Sequence, residues 1–232
     1  MGKPTAPLIL ALLALLLGSH GALAHGIGGK DAAFVSSSAG PQIVPFLYLG
    51  AKHMVTGYDH LLFILGVIFF LYRLRDVALY VTMFSVGHSV TLLTGVLTGL
   101  HVNAWLVDAL IGLSVAYKAF DNLGGFVRIF GMQPNTRLAV LGFGLIHGFG
   151  LATKLQELNL SPKGLLPNLI AFNVGVEIGQ LLALSVILLI MVRWRQSVRF
   201  GTQAIYANAL ILTAGFLLAE YQLAGYFTRG GA

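Results

Sequence analysis

Histidines and carboxylates recur in this chain inside stretches that are otherwise hydrocarbon. His53-Met54-Val55-Thr56-Gly57-Tyr58-Asp59-His60 runs directly into the apolar stretch 61–71. An Asp, Lys or Arg at the centre of a membrane helix costs on the order of 2.5–3.5 kcal/mol on insertion scales, so ionisable groups in such places usually mark function. On a regular helix His53 and His60 share one face but stand about 10.5 Å apart along the axis. One ion with His nitrogens at ~2.0–2.1 Å cannot bridge that gap. The two imidazoles are therefore successive stations on a path, or Gly57 unwinds the helix between them. Asp59, about 100° round from His60, is placed to pair with a neighbouring helix or to orient an imidazole.

Further polar positions follow in later apolar stretches. Ser85, His88 and Thr91 fall at i, i+3, i+6 on one helical face, and His147 is embedded among Gly142, Gly144, Gly148 and Gly150. Such glycines let helix backbones approach closely and would carry His147 deep into a bundle. Asn173, Glu177 and Gln180 fall at i, i+4, i+7, a polar stripe with a carboxylate at its centre. Asp108 and the pair Asp121-Asn122 lie nearer helix ends, where capping and interface roles are commoner. Imidazole and carboxylate together suit Ni, Co, Zn or Cu, whereas an all-oxygen cage would suit Mg or Ca. The chain has no cysteine, which excludes disulfides, iron–sulfur clusters and thiolate zinc sites.

The elements that must carry these residues are membrane helices. Of 232 residues, 57% are hydrophobic and 9% charged, with a mean hydropathy of +0.85, against roughly 25% charged in a soluble domain. The expected fold is an all-α polytopic bundle of about six transmembrane helices, one domain at about 46–225, with spans near 46–71, 77–99, 104–120, 137–155, 166–191 and 203–224. Residues 1–24, with Lys3, the apolar run Leu8–Leu17 and Ala22-Leu23-Ala24, have the layout of a secretory signal peptide. Removal would leave His25 as the new N-terminus, where its amine and imidazole could chelate a metal. Residues 25–45 read as a mobile external leader, and 121–136 as the longest internal loop.

The net charge of +6 does not point to nucleic acid, because the Lys and Arg residues are scattered singly in loops. Counted by span ends, Arg73, Arg75, Lys118, Arg128, Arg137, Arg193, Arg195 and Arg199 fall on one side, and Lys30, Lys52, Lys154, Lys163 and Arg229 on the other. The richer side is expected in the cytoplasm, with the mature N-terminus outside an inner (plasma) membrane. At ~1.5 Å per residue, His60, His88, His147 and Glu177 then lie roughly 21, 16, 12 and 16 Å from the outer end of their spans. They share one level near the midplane, with His53 and Asn173 closer to the outside.

The segment His53 to His60 followed by Leu61-Leu62-Phe63 resembles the first mature span of the HupE/UreJ family of membrane proteins linked to hydrogenase and urease. His88-Ser89-Val90-Thr91-Leu92, Gly144-Leu145-Ile146-His147-Gly148-Phe149-Gly150 and Phe172-Asn173-Val174-Gly175-Val176-Glu177-Ile178-Gly179-Gln180 are similar to a second branch of that family. The resemblance implies nickel or cobalt permeation for the better-known branch, from which this chain departs by carrying a lone His147 in place of a richer His motif. His53, Asp59 and His60 carry over best.

The leading expectation is a permease whose cargo is a divalent transition-metal ion, nickel or cobalt with zinc as an alternative. Its path is made by His53, Asp59, His60, His88, His147, Asn173 and Glu177. The partners are the ion and the bilayer, and a homo-oligomer is compatible with the sequence. Two other classes compete: an intramembrane zinc hydrolase using Ser85, Asp59 and the histidines, and an accessory scaffold for a metalloenzyme whose polar residues only join helices.

Overall fold

A computed structural model describes residues 29–158 and 161–229. The signal peptide expected at 1–24 and His25 lie outside the described residues. Nine helices appear among the described residues, and no strand. They are α1 (Gly29–Ser37), α2 (Ile43–Thr56), α3 (Tyr58–Ile68), α4 (Leu74–Thr98), α5 (Ala104–Asn122), α6 (Gly125–Phe130), α7 (Thr136–Gln156), α8 (Leu165–Arg195) and α9 (Phe200–Arg229). Of these, α4, α7, α8 and α9 are long and apolar enough to cross a membrane. The first expected span is instead two helices, and α5 carries Asp108, Lys118 and Asp121 over its 19 residues.

Two stretches expected to lack structure contain helices. Part of the leader forms α1, which docks through buried Val35, a Phe34–Phe46 ring contact at 6.4 Å and an ion pair of 2.7 Å between Asp31 and Lys52. Within the 121–136 loop, Gly124 and Gly131 adopt left-handed backbone angles and frame the short α6.

Sequence accounts for several helix ends. Asn103 caps α5 by accepting from the Leu106 amide, and Asn135 caps α7 by accepting from the amides of Arg137 and Leu138. Asn135→Ala is expected to lower stability by about 1 kcal/mol, measured as a shift in the thermal unfolding midpoint of the detergent-solubilised protein.

The bundle is assembled from three close helix pairs, each allowed by glycines. Helices α2 and α8 run parallel: a Cβ at Gly50 would strike the Phe172 carbonyl oxygen, one at Gly175 the Leu47 carbonyl oxygen, and one at Gly179 would come within 2.6 Å of the Ala51 carbonyl oxygen. Helices α4 and α7 are also parallel, with Gly144 against Phe84 and Gly148 against His88. Helices α5 and α9 run antiparallel, with Gly112 facing Gly215 and Ala219. Small residues at such crossings exchange side-chain bulk for backbone proximity, the usual means of joining helices in lipid.

The short α3 sits at the centre and touches α4, α5, α8 and α9. Ending a helix inside an apolar bundle leaves carbonyls that require donors. They are supplied: Arg195 donates to the carbonyls of Ile68 and Phe69, and Asn122 Nδ2 donates to Gly66 O at 2.8 Å. Outward-facing positions are apolar, among them Val86 and Val90 on α4, Val186 and Leu189 on α8, and Phe216 and Leu217 on α9. His53, His60, His88, His147, Asp59, Gln180 and Asn208 are buried inside. Polar inside and apolar outside, with four apolar helices of spanning length, is the distribution of a membrane protein.

Candidate metal centre

The break at Gly57 builds the centre. Helix α2 ends at Thr56, Gly57 takes φ −75° and ψ 101°, and α3 starts at Tyr58. The Gly57 amide still donates to His53 O at 2.9 Å and its carbonyl accepts from Leu61 N at 3.1 Å, so the chain is redirected with little loss of backbone bonding. Glycine is required for space: a Cβ here would lie 2.8 Å from His60 Nδ1 and 3.2 Å from Asp59 Oδ1.

Of the two alternatives left by the spacing, the structure has the break at Gly57, and His53 and His60 are not separate rungs. Their ring centroids are 5.1 Å apart, because the ~10.5 Å spacing holds only for an unbroken helix. His53 therefore belongs to the central cluster and not to an outer station.

His60 is the hub, 0% exposed. Its ring lies 4.8 Å from that of His147 on α7 and 6.0 Å from that of His88 on α4. Its Nδ1 stands 3.0 Å from Asp59 Oδ1. A carboxylate on one imidazole nitrogen selects the tautomer and leaves the other for an electrophile. His147 Nε2 lies 3.3 Å from Ser114 Oγ, which itself donates to Ile111 O at 2.7 Å. Phe63 and Phe84 wall the cluster with ring centroids 5.6 and 5.0 Å from His147.

Two overlapping sets of donors result. One atom each from His53, His60 and His88 lie within 4.8 Å of one another, and so do atoms from Asp59, His60 and His147. An ion with bonds of about 2.1 Å holds its donors at most about 4.2 Å apart, so small ring rotations close either set. All five side chains are buried, at 7% exposure or less. His53 Nε2 and both nitrogens of His88 have no hydrogen-bond partner among the described residues. Buried polar atoms without partners are uncommon and costly, about 1–3 kcal/mol each, unless a ligand takes them up. The donor chemistry thus fits a borderline transition-metal ion.

Not every expected residue joins the cluster. Glu177 is exposed, contrary to the expectation that it completes a midplane site. Gly175 and Gly179 must face α2, and Glu177, about 160° round the helix from each of them, is not covered by α2. Asn173 is buried, but its Nδ2 donates to Leu169 O at 3.0 Å on its own helix. Gln180 accepts from Ser85 Oγ at 2.6 Å, tying α8 to α4 beside the cluster.

Ser114 escaped sequence reading, since one hydroxyl within an apolar stretch carries no signal of which neighbour it faces. An apolar pocket of about 400 Å³ between α3, α8 and α9 is lined by residues such as Leu61, Leu182, Val186 and Ile211 and by none of the histidines.

No curated protein and no solved structure matches the chain. The sequence model of a family described as HupE / UreJ protein matches residues 29–230. With a match over nearly its whole length, the chain belongs to the HupE/UreJ family.

Proposed function

We propose that this chain is an inner-membrane permease for a divalent transition-metal ion, nickel or cobalt, and that the ion passes through the cluster of His53, Asp59, His60, His88 and His147. The observation that carries the reading is the convergence of four imidazoles and a carboxylate from α2, α3, α4 and α7 at a buried point inside an apolar shell. Membership of a family associated with nickel and cobalt handling supports it. Overlapping donor sets sharing His60 suit a cargo better than a resident ion, because a shared ligand lets an ion be handed from one set to the other without losing all its bonds.

In this reading the polypeptide crosses six times, the first crossing being the broken pair α2–α3 and the third α5. The end where α5 begins and α7 ends faces outward, since the opposite end holds more of the Lys and Arg. The zinc hydrolase reading is weaker, because Ser85, the nucleophile it would need, is committed to Gln180. A scaffold role does not account for imidazoles with unpartnered nitrogens, as structural polar groups pair with one another.

The test is Ni²⁺ entry into liposomes holding the purified protein, followed with an entrapped chelating dye. Entry is expected to fall at least about tenfold in His60→Ala/His147→Ala. Uptake that persists in this double variant, or a wild-type protein that admits no Ni²⁺ or Co²⁺, would refute the permease.

A further inference from the structure

A buried ion pair stands between the cluster and one end of the bundle. Lys154 Nζ on α7 lies 2.7 Å from Asp108 Oδ2 on α5, with side-chain exposures of 19% and 7%. Along α5, Asp108 is six residues before Ser114, the contact of His147; along α7, Lys154 is seven residues beyond His147. Both separations correspond to about 9–10.5 Å, toward the end where α5 begins. The other carboxylate oxygen lies beside α7 between the cluster and Lys154: a Cβ at Gly150, one turn from His147, would lie 3.5 Å from Asp108 Oδ1.

A second pair, Lys118–Asp121 at 2.6 Å, stands on the opposite side of Ser114. It joins residues of a single helix and is fixed further by Gln133, whose Nε2 donates to Asp121 Oδ1 at 2.5 Å. It therefore does not need to break when helices separate. The Asp108–Lys154 pair joins two helices that both contribute to the cluster's surroundings, and its partly exposed lysine has a flexible stem able to carry the ammonium to water.

From this placement we infer that Asp108 is a cation station and Lys154 its displaceable plug: an incoming divalent ion takes the carboxylate from the ammonium, moves on to the histidines, and Lys154 closes behind it. A divalent ion competes for a carboxylate against an ammonium more strongly than a monovalent one, so the pair also filters by charge. The inference rests on the cluster being a cation site.

Its test uses the full-length protein in lipid nanodiscs with Ni²⁺ alone, with association and dissociation followed by stopped flow and affinity by calorimetry. Lys154→Met is expected to speed both rates about tenfold while affinity stays within about threefold, as expected of a group on the route and not in the site. Asp108→Asn leaves the ammonium unopposed across the route and is expected to slow association about tenfold. A pair that only braces two helices predicts the opposite pattern, both substitutions acting in one direction with a lowered unfolding temperature. That result, or unchanged rates in both, would overturn the plug.

Removing one partner of a buried pair can prevent folding, so the double variant Asp108→Asn/Lys154→Met, with neither charge, is measured alongside. Its association rate is expected between those of the single variants, and a rate equal to that of Lys154→Met would show that Asp108 is no station. Failure of the cluster reading looks different: the wild type binds no Ni²⁺, or binds it no more tightly than His60→Ala does.

Discussion

His60→Ala is expected to weaken Ni²⁺ binding by about 100-fold or more, because His60 alone belongs to both donor sets. Losing a residue that merely orients a ligand already costs 10–100-fold in well-studied metal sites, and His60 is placed as a ligand itself. The remaining atoms cannot compensate. Without His60, the first set keeps His53 and His88 and the second keeps Asp59 and His147, and two donors hold a divalent ion far less tightly than three or four. Titration calorimetry on the purified protein measures the effect, with circular dichroism to verify that the helices persist. Two controls sharpen it. His101→Ala, at an exposed position between α4 and α5, should leave affinity unchanged. Glu177→Gln should do the same, since that residue is exposed and belongs to neither donor set. Affinity within threefold of wild type in His60→Ala would remove the cluster from the binding reaction. A large loss in Glu177→Gln would mean that α8 turns in the functional state.

Gly175→Val is expected to cost about 3 kcal/mol or more, at or beyond the upper end of overpacking penalties. The added atoms would meet the Leu47 carbonyl oxygen and, at 3.0 Å, the Ala51 amide nitrogen. These are backbone atoms of α2, so no side-chain rotamer can relieve the clash and the two helices must part. Against a total stability of about 5–15 kcal/mol, that is a large fraction. Because α2 also carries His53, Ni²⁺ affinity should fall in parallel. Gly142→Ala provides the contrast: nothing lies within 4 Å of its Cβ position, and removing a glycine from a helix interior is worth about 0.5–1 kcal/mol. Its unfolding temperature should therefore be unchanged or raised. Equal stability of Gly175→Val and wild type would mean that α2 and α8 do not meet as described.

Helix positions were readable because lipid-facing helices must be apolar and long, and the stretches expected at 77–99, 137–155, 166–191 and 203–224 correspond to α4, α7, α8 and α9 to within a turn or two. The depth argument that set His60, His88 and His147 at one level anticipated their meeting, since depth follows from counting residues along a helix. It failed for Glu177 because depth says nothing about rotation. The rotation of α8 was legible in principle from Gly175 and Gly179, whose four-residue spacing marks the side that meets a neighbour. The leader was misread for a related reason: nine residues with no clear hydrophobic period form α1 only because Val35 and Phe34 find partners on the bundle.

The sequence by itself determined that the chain is helical, that its polar groups lie among hydrocarbon, and that imidazole and carboxylate are the available ligands, for these depend on composition and on distance along the chain. Only the tertiary structure decided which of those groups meet. Whether His53 joins His60 hinged on the backbone angles of one glycine, and whether Asp108 holds Lys154 hinged on the crossing of two helices. Both are settled by close packing between segments far apart in sequence, where a shift of a few ångströms separates a ligand set from a row of isolated side chains.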